Sequence, residues 1–246
     1  MTTPGSHDVA TTNINVEISI IECIKEGWEM FKKHFLILMG GFIVFFAITI
    51  LIQFTMIGMF VSIAIMPPLL GGWILFLLNA ARDSNPRVGD LFKGFDRYGM
   101  TMGVYWLSTL IVGILLFPSF LYIFGNLLFS PEFLSGNLFY SEFFEIYFFV
   151  FCNAAIIFLI FIRFVLFWFV AMDEMERGIV NVFNESARLM KGHVVSYLQL
   201  SILGFLLTLG GFILLVIPGL IIMAVFILAQ IRFYLKLKEI KNTRIE

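Results

Sequence analysis

The chain has 246 residues, 60% of them hydrophobic and 13% charged, with a mean hydropathy of +0.98. Soluble domains carry charge on about a quarter of their residues, so this composition excludes an ordinary soluble domain and points to a membrane. A formal net charge of -1 supplies no global basic field, and nucleic acid is not an expected partner.

Residues 1 to 15 are polar, Thr-rich and aperiodic, and read as a disordered N-terminal tail. Ser19 with Glu22 then forms a capping box. Ile21, Ile24, Trp28 and Phe31 follow at helical spacing, so an amphipathic helix is expected ahead of the first span. The first apolar run begins only at Phe35; it is too long for the apolar core of a signal peptide, lacks a small-residue cleavage site, and is expected to stay.

About 30 Å of hydrocarbon requires roughly 20 apolar residues, and six stretches meet that length: 35 to 57, 59 to 81, 99 to 124, 146 to 171, 194 to 214 and 217 to 237. Between the second and third, Val88, Leu91, Phe95 and Tyr98 repeat the amphipathic spacing, with Asn85 before Pro86 as a helix-start signal. Before the fifth, Val180, Phe183, Ala187 and Met190 repeat it again. The outer connection from Gly125 to Glu145 is rich in Phe and reads as an aromatic belt at the membrane surface. The division is thus a tail at 1 to 15, a six-helix domain over 16 to 238, and a C-terminal tail over 239 to 246.

The positive charges fix an orientation. Lys25, Lys32 and Lys33 precede the first span; Arg82, Arg87, Lys93 and Arg97 separate the second and third. Arg177, Arg188 and Lys191 separate the fourth and fifth, and Arg232, Lys236, Lys238, Lys241 and Arg244 close the sixth. The alternate connections contain no Lys or Arg, so both termini are expected in the cytoplasm of a cell that carries the protein in its plasma or inner membrane. Lys32, Lys33, Lys93, Arg97, Arg188 and Lys191 are expected as interfacial basic residues facing anionic headgroups.

A threefold plan emerges from these elements: an all-α protein of three transmembrane hairpins, each preceded by an interfacial amphipathic helix. Pro68 stands fourteen residues before Arg82, as Pro218 does before Arg232, and Ile162-Arg163-Phe164 returns as Ile231-Arg232-Phe233. Leu91-Phe92-Lys93-Gly94-Phe95, Asp173, Ala187, Lys191-Gly192-His193, Ile217-Pro218-Gly219 and Tyr234 resemble a group of prokaryotic six-span proteins that includes the YciC-like proteins and the membrane domain of some glycerophosphodiester phosphodiesterases. The resemblance spans most of residues 17 to 237 and implies a fold; the soluble phosphodiesterase domain that would supply hydrolysis has no counterpart, so no activity carries over.

Groups for catalysis are sparse. The apolar runs contain no Asp or Glu, and His7, His34 and His193 lack the spacing with Cys or acidic residues that metal binding needs. Nucleotide-binding glycine motifs are absent. Cys23 and Cys152 would lie on opposite sides of a bilayer and are expected as free thiols. No enzyme, metal or cofactor is expected. Gly99 with Gly103, and Gly204 with Thr208, read as small-residue packing pairs; Gly71-Gly72 and Gly210-Gly211 read as packing glycines ahead of hinges.

Arg163, inside an apolar run, is the one basic residue that the topology does not place. Ten residues from Asp173, or about 15 Å along a continuous helix, it is first expected to snorkel or to bond carbonyls, with a neutral partner among Gln53, Asn79, Gln199 and Gln230 or an external anion as the alternatives. Arg163 and Arg232 are therefore the candidate lipid or anion contacts. The expected function is that of a non-enzymatic membrane scaffold or lipid-contacting partner protein, with membrane lipids, a membrane protein or a second copy as partners. The alternative is a transporter of a small solute or lipid.

Overall fold

The computed structural model of the chain describes residues 19–54, 58–129, 140–174 and 178–243. The expected N-terminal tail, the centre of the aromatic connection, Arg177 and Arg244 lie outside the described residues. Among the described residues all regular structure is helical. In chain order these are α1 (Ile20–Lys33), α2 (Phe35–Gln53), α3 (Gly58–Ala81), α4 (Tyr98–Phe129), α5 (Tyr140–Phe161), α6 (Phe167–Asp173), α7 (Ile179–Leu189), α8 (Val194–Leu214) and α9 (Val216–Thr243). Six stretches are long and apolar enough to cross a membrane, and the protein is a multi-pass integral membrane protein.

The helices divide into inner and outer ones. α2 packs on α3, α4 on α5, and α8 on α9, while α3 also touches α6 and α9. Buried residues mark the inner set: Phe76, Leu77 and Leu78 on α3, Phe167 and Val170 on α6, and Leu228, Phe233 and Tyr234 on α9. The outer helices instead turn large apolar side chains outward, among them Ile43, Ile114, Phe117 and Phe205. Apolar faces on both sides of a helix suit hydrocarbon as the solvent.

The amphipathic segments differ from the expected three surface helices. α1 forms with Ser19 as its cap, the hydroxyl accepting from Glu22 N–H at 3.4 Å. Its apolar stripe of Cys23, Gly27 and Phe31 is buried. Glu22 meets Lys236, Glu26 meets Arg232, and a Cβ on Gly27 would lie 2.9 Å from the Val225 carbonyl oxygen. The partners fall in sequence as α1 rises, so α1 runs antiparallel along α9 and gives that helix its apolar face. α7 packs on α6.

The middle segment is not an α-helix. Asp83 and Asn85 adopt positive φ (58° and 50°), and the chain then forms two 3-10 turns, Val88–Phe92 and Phe95–Arg97. Buried Asp90 organises them, accepting from the Arg87 amide at 3.0 Å, from Asn79 of α3 at 3.1 Å and pairing with Lys93. The helix start read from Asn85-Pro86 therefore gives way to an acidic anchor two turns later. These turns press on α3 with no room between the backbones: a Cβ on Gly72 would sit 1.8 Å from the Leu91 carbonyl oxygen, and one on Gly94 1.9 Å from that of Pro68.

Three further expectations are corrected. α4 and α5 run to Phe129 and from Tyr140, into the connection read as a loop from Gly125. α9 continues to Thr243, past the boundary set at residue 238, because its last turns are held by ion pairs described below. Gly99 has open space where a Cβ would stand and packs against nothing, whereas Gly103 meets Ile179 and Gly204 meets Phe226. A Cβ on Gly211 would lie 3.0 Å from the Gly219 Cα, across a turn made by Leu215 in extended conformation. Pro218 then stands in the first turn of α9, where a missing N–H costs nothing.

Candidate functional site

The four basic stretches meet at one end of the bundle, and most of their charge is answered from within the chain. Asp173, the last residue of α6, is 4% exposed at its side chain. Tyr234 of α9 donates to its carboxylate at 2.7 Å, Lys238 at 2.7 Å, and Arg82 at the end of α3 bonds the other oxygen. One carboxylate thus ties together the ends of all three inner helices. Lys238 also reaches Glu174 at 3.1 Å. A buried carboxylate is sustained only by such complete pairing.

Beside it, Arg232 donates to Glu26 at 2.7 Å and to the Ala81 carbonyl at 3.2 Å, linking α9 to both α1 and α3. Lys236 bonds Glu26 at 2.7 Å and Glu22 at 2.9 Å. Burial pushes the Glu26 carboxyl up, but hydrogen bonds from Lys236 and Arg232, reinforced by their charges, outweigh it and hold the group below the ordinary range. Asp83 is held low as well, by hydrogen bonds from Lys33 and His34. Burial pushes the Cys23 thiol up to about 11 against the pull of Lys236, so it should resist alkylation until α1 leaves α9.

A pH dependence follows. Folded pKa values below the unfolded ones give stability that is fully present above the ordinary carboxylate range of about 4 and is lost as pH falls through the folded values. Hydrogen exchange of α1 amides, corrected for intrinsic rates, should show constant protection from pH 7 to pH 5 and loss below about pH 4. Loss of protection already between pH 7 and pH 5 would show that these carboxylates do not hold α1.

The expected interfacial residues take several roles. Lys32 is exposed and lies over the Trp28 ring, 5.9 Å from its centroid. Lys33 pairs with Asp83, Lys93 with Asp90, and Arg188 with Glu185 at 3.3 Å. Arg97 and Lys191 are exposed. Glu185, 4% exposed, also binds Lys241. His34 and His193 share one backbone geometry at the heads of α2 and α8, with φ and ψ of −109° and 23° against −118° and 7°; His34 bonds Asp83 at 2.8 Å. Cys23 and Cys152 are free.

Arg163 is different. It lies in a 3-10 turn, Ile162–Phe164, that breaks the fourth span between α5 and α6. Its side chain is exposed, and among the described residues no hydrogen bond or ion pair engages it. Asn79, one of the expected neutral partners, serves Asp90 instead. The break also removes the premise of a continuous 15 Å helix to Asp173. Phe164 and Phe167 pack on Phe183 of α7, with ring centroids 6.2 and 5.1 Å apart. Arg163 is therefore one residue away from contact with an amphipathic helix. Its chain neighbours Phe161 and Phe164, with Phe183, Leu107, Ile111 and Asn184, line a largely apolar cavity of about 200 Å³, of which Arg163 itself is not a wall.

No family model, curated protein or solved structure matches the chain. The likeness to YciC-like proteins rests on its motif residues alone. Two of them have clear structural work: Asp173 joins the inner helices, and Gly94 lets the 3-10 turns reach α3.

The central carboxylates, Asp173, Asp90, Glu26 and Glu185, were not among the expected site residues. Asp173 stands at the edge of an apolar run, a position that marks a charge placed where helix ends converge, whereas Asp90 lies in the middle of the connection between the second and third runs. The sequence carries no signal for which cation each one meets.

Proposed function

We propose that the protein is a non-enzymatic membrane scaffold that contacts phospholipid through Arg163, with its basic end and both termini in the cytoplasm. The observation that carries the lipid contact is Arg163: an exposed guanidinium within an apolar span, with no hydrogen bond or ion pair among the described residues. An arginine in that setting needs an anion, and a phosphodiester with its acyl chain alongside supplies both the charge and the apolar neighbour. The scaffold reading draws on Asp173. Its bonds to Arg82, Tyr234 and Lys238 clamp the inner helices where a transporter would have to open.

The packing also supports three structural units. The 3-10 segment rests on α3, α7 on α6, and α1 on α9, so each leading segment covers the second helix of the unit before it, and α1 closes the circle. The cytoplasmic placement of the termini draws on the positive-inside rule, and the plasma or inner membrane is the proposed location. Membrane lipid is the proposed partner.

Native mass spectrometry of the purified protein tests the lipid contact. Arg163→Ala should lower the occupancy of retained anionic phospholipid at least threefold, on the order of the loss of one charge-assisted hydrogen bond, and Arg163→Lys should keep most of it. Equal lipid retention in the wild type and Arg163→Ala would sink the assignment.

A further inference from the structure

At the end of α9, away from Arg163, a second cavity of about 420 Å³ opens between the α7 to α8 turn and the last turns of α9. Its polar walls are Arg188, Lys191, His193 and Lys241; Leu237 and Ile240 supply apolar surface. Three permanent cations face it, Arg188, Lys191 and Lys241, and Glu185 pairs with two of them, Arg188 and Lys241. A net positive charge remains. The Lys191 side chain has no hydrogen-bond or ion-pair partner among the described residues.

The local backbone explains why these groups share one wall. Gly192 adopts φ +88°, a left-handed conformation that glycine takes without penalty, and the chain turns from the end of α7 to the head of α8 within a few residues. Arg188 before the turn and His193 after it are thereby brought to the same cavity, and α9 brings Lys241 from the other side. The volume falls within the range of about 300–1,000 Å³ typical of small-ligand clefts. Convergent Arg and Lys donors match the oxygens of a phosphate, and the side chains of Leu237 and Ile240 suit an apolar substituent on it.

We propose that this cavity is a phosphate-binding site, taking a phosphate group either free or as the headgroup of a lipid. The assignment goes beyond the lipid contact at Arg163 and uses none of its residues, so either can fail alone. The probes are inorganic phosphate and dihexanoyl phosphatidic acid, titrated into the full chain in a neutral detergent and followed by calorimetry.

Saturable binding of either probe, weakened at least tenfold in the double variant Arg188→Gln/Lys191→Gln, is the expected result. Lys25→Gln, on the exposed face of α1, should leave it unchanged. Phosphatidic acid binding at least tenfold tighter than inorganic phosphate identifies a lipid headgroup as the source. Comparable affinities identify a soluble phosphate. Gly192→Ala, which strains the turn without filling the cavity, should also weaken binding while α-helical content stays the same. No saturable binding of either probe, or equal binding by the double variant and the wild type, overturns the proposal.

Discussion

Asp173→Ala is expected to destabilise the folded protein by about 3–5 kcal/mol, the loss seen when one partner of a buried ion pair is removed. The substitution strands three groups at once. Arg82 and Lys238 lose their common counter-ion, and the hydroxyl of Tyr234, a residue with no exposed surface, loses its acceptor. Unfolding in mixed micelles, read by circular dichroism, measures the effect. The companion variant Tyr234→Phe removes only one hydrogen bond and should cost about 1 kcal/mol. A cost for Asp173→Ala no larger than that for Tyr234→Phe would mean that the carboxylate does not join the inner helices. The reciprocal substitution Glu26→Ala frees Arg232 and Lys236 at a more exposed site, and its effect should be smaller.

Gly72→Ala is expected to be at least as damaging, at about 3 kcal/mol or more, because the added methyl meets backbone that cannot rotate away. The Leu91 carbonyl oxygen would lie 1.8 Å from it. The 3-10 segment would have to lift from α3, taking Asp90 from Asn79. Gly94→Ala should act in the same way from the other side, where the Pro68 carbonyl oxygen would stand at 1.9 Å. Gly113 offers the opposite test: it lies inside α4 with nothing within 4 Å of a Cβ, and alanine there should be neutral or stabilise by up to about 1 kcal/mol. Thermal unfolding of the three variants side by side checks both magnitude and sign. Similar mild effects at Gly72 and Gly113 would contradict the close packing.

Much of the fold was legible because hydrocarbon imposes length. The six apolar runs at 35 to 57, 59 to 81, 99 to 124, 146 to 171, 194 to 214 and 217 to 237 coincide with the six candidate spans to within a few residues at most ends. The start of α1 was legible from Ser19, since an N-cap acts over three residues. The break at Ile162–Phe164 was not: neither proline nor glycine marks it, and the rings that meet across it, Phe164, Phe167 and Phe183, are ordinary core residues until their partners are known.

The basic end shows the same division between local and distant information. Its location could be read from charge alone, whereas its chemistry could not, because Arg232 finds Glu26 across 206 residues of sequence and Lys238 finds Asp173 across 65. Segments that looked like surface helices turned out to be half of an internal charge match. α1 brings Glu22 and Glu26 to a row of cations on α9, and one amphipathic pattern serves a membrane surface or a partner helix equally well. Arg163 stood out in sequence and still stands out in the fold, now at an exposed position in a 3-10 break of the fourth span.

The scaffold reading requires that the basic end be a fixed closure and not a gate. Spin labels at exposed Ser84, just beyond α3, and exposed Glu239 on α9 flank the knot formed by Arg82, Asp173 and Lys238. Their separation in proteoliposomes, measured by pulsed electron resonance, should give one narrow distribution that does not change when a pH gradient or membrane potential is imposed. Two resolved distances, or a shift under the gradient, would show that the inner helices part at this end, and would favour the transporter over the scaffold.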